Sequence, residues 1–102
     1  MRGRSRWRRF NRVDANHKAI SQALEQIGCS VQSLASVGGG CPDLLVGYHG
    51  HNYILEVKDG SKAPSKRKLT DDEAEWQERW TGNCVTVDSP QAAINYVLAS
   101  GR

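Results

Sequence analysis

The 102-residue sequence predicts an α/β layered domain with a mixed central β-sheet flanked by helices. Two observations predict it. Helical and strand periodicities alternate in the order helix, three strands, helix, strand, helix. The length suits one modest core, burying roughly 60–70% of the unfolded surface, and leaves no room for a second domain.

The elements follow in order. Asp14 can cap a helix over residues 14–27, with Ile20, Ala23, Leu24 and Ile27 on one face. Gly28 ends it. Residues 31–35 read as a strand leading to Gly38, Gly39 and Gly40. That triple glycine lacks the context of a nucleotide-binding loop, and is better explained as backbone that approaches a ligand closely. Residues 44–48 form a short apolar strand after Pro42, and residues 53–58 a second strand rich in β-formers. His49 to Asn52 between them is a tight-turn signal, so the two pair as an antiparallel hairpin. A mobile loop rich in glycine, serine and proline precedes Thr70 and Glu73, a capping-box pair opening a helix to about residue 80. Trp76 and Trp80, four apart, are read as core or interface anchors in preference to a base-stacking platform. Residues 84–88 form a strand. Pro90 starts a last helix with Ala93, Ile94, Val97 and Leu98 facing inward.

The net charge of +3 conceals an asymmetry. Arg2, Arg4, Arg6, Arg8, Arg9 and Arg12 lie in a basic arm, residues 1–13, with Trp7 and Phe10 between them. The remainder carries 8 basic and 11 acidic side chains, a balance of −3. Such an arm can neutralise phosphates and stack on exposed bases, or act as a solubilising tail. A second basic cluster, Lys62, Lys66, Arg67 and Lys68, follows the second hairpin strand and can grip a nucleic-acid backbone. No apolar stretch approaches the ~20 residues of a membrane span, and the arm lacks the apolar segment of a secretory signal. Three cysteines without a CxxC pair read as reduced thiols of a cytoplasmic protein.

The candidate chemistry sits on the hairpin. Strand alternation puts Ile54, Glu56 and Lys58 on one face. A lone carboxylate among apolar neighbours is costly, so Glu56 needs compensation from Lys58 or from a bound cation. Magnesium takes hard oxygen ligands, usually one or two carboxylates with water and phosphate. Asp43 and Glu56 can supply carboxylates and Val57 a carbonyl. Lys58 can hold an attacking water or stabilise an anionic transition state. The alternative is a surface ion pair between Glu56 and Lys58.

The segments GGGCPDLLVG, YILEVK and KLTDDEAEWQERW resemble the PD-(D/E)xK nuclease superfamily, and within it the stand-alone VRR-NUC domains, which are similar to Holliday-junction resolvases. The resemblance covers residues 14–98. It implies a restriction-endonuclease-like fold over residues 14–102 and hydrolysis of DNA phosphodiesters with Mg2+ or Mn2+. Asp43, Glu56 and Lys58 match its catalytic positions. Its members usually add a glutamate on the first helix, a position held here by His17, either a metal ligand or an ordinary first-turn histidine. They often have a glutamine where this chain has Glu73. The resemblance also implies a homodimer acting on branched DNA, a four-way junction or a flap.

Two further readings stand beside it. One is a catalytically weak DNA-binding module that keeps the fold. The other is a structural zinc site from Cys41, His49, His51 and Cys84, whose spacing matches no standard zinc pattern.

Overall fold

A computed structural model describes residues 15–100. The Asp14 cap and the arginine arm lie outside the described residues. Helix α1 spans Ala15–Gln26 and carries His17, Ile20 and Leu24 as its buried stripe. Spacings of three and four put these side chains on one face. Gly28, at φ 100°, closes the helix, with Cys29 N–H donating to the Leu24 carbonyl and Gly28 N–H to that of Glu25. This paired closure satisfies carbonyls that the helix end would otherwise orphan.

Strand β1 is Ser30–Ser33, β2 is Leu44–Tyr48 and β3 is His51–Val57. All three pair antiparallel. Strand β4, Val85–Val87, lies parallel to β3 at the sheet edge, giving the order β1-β2-β3-β4 and the expected mixed sheet. The hairpin turn is narrower than the sequence predicts. His49 and Gly50 alone form it, at φ 49° and 82°, while His51 pairs with Tyr48. A two-residue turn with both centres at positive φ matches strand twist, which is why the strands extend this far. The first strand likewise begins and ends earlier than expected, because the chain bends back after Leu34. Leu34 N–H donates to the Asp43 carbonyl at 2.7 Å and Val37 N–H to that of Leu34.

Helix α2 covers Asp71–Arg79 and helix α3 Pro90–Ser100. Helices α1 and α3 pack together over the face carrying Leu44, Val46, Tyr53, Leu55 and Val87, with Ala93 and Val97 from α3 completing the core. Tyr96 meets Tyr53 edge-on at 5.7 Å. Leu98 departs from expectation: it is exposed, because it lies one position round the helix from buried Val97. No helix of the described residues is long and apolar enough to cross a membrane. Cys29, Cys41 and Cys84 are all free thiols.

Helix α2 stands apart from this core. None of its residues is buried. Glu73, Trp76 and Gln77 are half-buried on one side, whereas Asp71, Glu75 and Glu78 are exposed on the other. Trp76 and Trp80 stack at 4.6 Å, and Trp80 is exposed, so the pair is no part of the core.

Candidate functional site

The β2–β3 register decides the site. Leu44 pairs with Leu55, and Asp43 N–H donates to the Leu55 carbonyl at 3.0 Å. Asp43 therefore opposes Glu56 at the mouth of the hairpin. Its Oδ2 accepts the Val57 N–H at 2.7 Å, which fixes the carboxylate across the strand. Alternation turns Leu55 into the core and Glu56 to the opposite face, and Glu56 is still only 2% exposed. Glu73 at the start of α2 and Cys41 in the loop after Gly40 come close to it, and Gly40 itself lies against Asp72 of α2.

That contact requires glycine at position 40. A Cβ there would lie 2.2 Å from the Asp72 carbonyl oxygen, and its φ is 84°. Gly38 has a similar φ of 80° but nothing within 4 Å. Gly38→Ala is thus expected to cost about 1 kcal/mol of backbone strain, and Gly40→Ala about 3 kcal/mol because α2 must also shift. Urea unfolding of the two variants measures the difference.

Three carboxylates and one ammonium meet at this point. Lys58 follows β3 directly, its N–H donating to the Val87 carbonyl and its own carbonyl accepting from Asn16 of α1 at 2.5 Å. Its Nζ donates to Glu73 Oε1 at 2.7 Å and stands 3.7 Å from Glu56 Oε2. Glu56 Oε1 is buried without a hydrogen-bond partner. Burial, then the Asp43 and Glu73 charges, push the Glu56 carboxyl from its ordinary 4.5 up to about 9, and both neighbours can hydrogen-bond its protonated form. Glu73 has the opposite fate. Burial opposes its charge, but Lys58 and the Thr70 N–H outweigh this and hold it below the ordinary range. Burial also opposes the charge on Lys58, and Glu73, Glu56 and Asp43 together raise its pKa nonetheless.

Two thiols border the cluster. Val85 pairs with Leu55, so alternation puts Cys84 on the Glu56 face. Burial and the Glu56 charge push its thiol up to about 11. Burial, Asp43 and Glu56 likewise raise Cys41. These thiols belong to the Asp43 end of β2, whereas His49 and His51 sit at the hairpin turn. A five-residue strand separates the two ends by roughly 17 Å, which removes the zinc reading. Among the described residues no group of three or more His, Cys, Asp or Glu side chains is arranged to hold a metal ion.

Other sequence-predicted residues fall around this centre. His17 is buried on the core stripe of α1, one residue from Asn16, which binds the Lys58 carbonyl. Lys62, Lys66 and Lys68 are exposed. Their segment is more structured than the expected mobile loop, with a 3-10 turn at Pro64–Lys66. Arg67 braces it, donating to the Lys62 carbonyl at 2.8 Å and pairing with Asp88 at 3.3 Å. Arg4, Arg6, Arg8, Arg9 and Arg12 lie outside the described residues. Glu73 is the residue that sequence reasoning left out of the centre. The capping box marked it as a helix start and the resemblance marked its position as one often held by glutamine, but neither indicated that the same carboxylate reaches Lys58.

The comparisons agree with this architecture. No protein-family model matches the chain, and no curated protein does. A solved structure described as a VRR_NUC domain is similar, at a TM-score of 0.57 and 24% identity, over 83% of this chain and 91% of the other. The chain has the mixed α/β fold of a VRR_NUC domain.

Proposed function

We infer that this protein is a divalent-metal-dependent endonuclease that hydrolyses DNA phosphodiester bonds, acting on branched DNA such as a four-way junction or flap. One observation carries the reading. On the fold of a VRR_NUC domain, Glu56 is buried with an unpartnered oxygen, facing Asp43 and beside Lys58. A proton on Glu56 relieves the crowding of negative charge only in part. A hard cation relieves it further and fits an all-oxygen pair of carboxylates better than it fits the bordering thiols.

Asp43 and Glu56 would hold Mg2+ or Mn2+, with the Val57 carbonyl and, as a further candidate, His17. So few protein ligands are normal for magnesium, which keeps water and takes phosphate oxygens. A cation held there would supply a more acidic bound water and charge compensation for the phosphate. Lys58 orients the attacking water or the phosphate through its ammonium. Lys62, Lys66 and Lys68 begin four residues beyond Lys58 and supply backbone contacts, joined by the arginine arm. A homodimer would place two such centres on two strands, since one domain of this size covers little DNA.

Labelled four-way junction, flap and plain duplex, each with Mg2+, Mn2+ or EDTA, test this. Metal-dependent products from branched DNA are expected, with Lys58→Ala slower by about a hundredfold or more. Equal cutting by Lys58→Ala would refute the site. His17, standing where the resemblance leads one to expect an acid, favours the second reading, a DNA-binding module with little catalysis. Salt-sensitive junction binding with no product under either metal would select it.

A further inference from the structure

We propose that Glu73 is the positioning residue for Lys58, and that it acts through the capping box that opens α2. The functional consequence rests on the nuclease reading above; the structural claim does not.

One oxygen does two things. Glu73 Oε1 accepts the Thr70 N–H at 2.8 Å and the Lys58 ammonium at 2.7 Å. Thr70 Oγ1 in turn accepts the Glu73 N–H at 3.2 Å, closing the box. The reciprocal bonds leave the Glu73 side chain little rotamer freedom, so its carboxylate is a fixed post. Lys58 is a long, flexible side chain with three donors, and without a post its ammonium samples several sites. The geometry shows which site wins: Glu73 at 2.7 Å over Glu56 at 3.7 Å. A charge-assisted bond of that length, on a lysine side chain only 15% exposed, is strong enough to hold it there.

The arrangement has a consequence for the centre. Lys58 stays 3.7 Å from Glu56 Oε2 and leaves Glu56 Oε1 without a hydrogen bond. Helix α2 buries no residue of its own, and Glu73 ties its first turn to the end of β3. Forming that turn and seating the ammonium are therefore one event. Thr70, exposed, has its side-chain hydroxyl in the box while its carbonyl accepts the Ala74 N–H at 2.9 Å, and it controls the seating at a distance.

The test uses the full chain with Glu73→Ala, Glu73→Gln and Thr70→Ala. The first readout is the side-chain ammonium NMR signal of Lys58 in metal-free protein, assigned with Lys58→Arg. It should be slowly exchanging in the parent, lost in Glu73→Ala, retained in Glu73→Gln, whose amide oxygen can still accept both bonds, and weakened in Thr70→Ala. The second is single-turnover junction cleavage. Glu73→Ala should lower the rate on the order of 10- to 100-fold with DNA affinity unchanged, and Glu73→Gln should recover most of it. An unchanged Lys58 signal in Glu73→Ala overturns the proposal. So does a cleavage loss shared equally by Glu73→Gln and Glu73→Ala. If the parent cleaves no DNA, the nuclease reading fails, and the ammonium signal alone still decides the role of Glu73.

Discussion

Replacing Glu56 with glutamine will stabilise the metal-free protein at neutral pH and, on the nuclease reading proposed above, abolish DNA cleavage. The two effects come from one carboxyl. Its folded pKa, about 9, stands above its ordinary 4.5, so the folded state binds the proton more tightly than the unfolded chain. The stability this contributes is complete below about pH 4.5 and is lost as pH rises towards 9. At pH 7 the group therefore costs on the order of 3 kcal/mol relative to a neutral isostere. Glutamine is such an isostere, and its amide can donate to Asp43 and Glu73, which surround it. Urea unfolding in EDTA at pH 5, 7 and 9 is the measurement. The parent should weaken steadily with pH while Glu56→Gln stays nearly level. Cleavage should fall by about a thousandfold or more, since a neutral amide cannot serve as an anionic ligand. A variant less stable than the parent at pH 7 would mean that Glu56 has a compensating partner in the folded protein.

Asp43→Asn gives the second large effect, and here stability and activity separate the other way. The asparagine oxygen can still accept the Val57 N–H that Asp43 accepts at 2.7 Å. The fold should be kept to within about 1 kcal/mol, while cleavage falls by about a thousandfold. Asp43→Ala loses cleavage too, but strands the Val57 N–H and should cost a further 1–3 kcal/mol or so. Single-turnover rates and unfolding midpoints of the two variants give the comparison. Normal cleavage by Asp43→Asn would remove this residue from the centre.

The residues that carry these predictions were legible to different degrees. The hairpin was readable because strand alternation and a Gly-containing turn are local signals, and from them the opposition of Asp43 and Glu56 follows. The capping box was readable for the same reason. The turn's true length was not, since His49 has to adopt positive φ, and nothing local distinguishes it from its neighbours. Leu98 was placed inward because an apolar residue next to a buried position looks like core until the opposing surface is known. The tryptophans were read as core or interface anchors by their size and spacing, and the core alternative falls because α2 lies outside the main core and leaves Trp80 exposed.

By itself, the sequence determined the order of elements, the hairpin and the adjacency of Asp43, Glu56 and Lys58, all set by backbone periodicity within some fifteen residues. The tertiary structure alone decided which partner Lys58 takes. Position 40 lets α2 lie against the loop, and only then does Glu73 come within 2.7 Å of the ammonium while Glu56 is sealed from water. Burial and long-range approach depend on how separate segments stack, and no local pattern of residues encodes the distance between them.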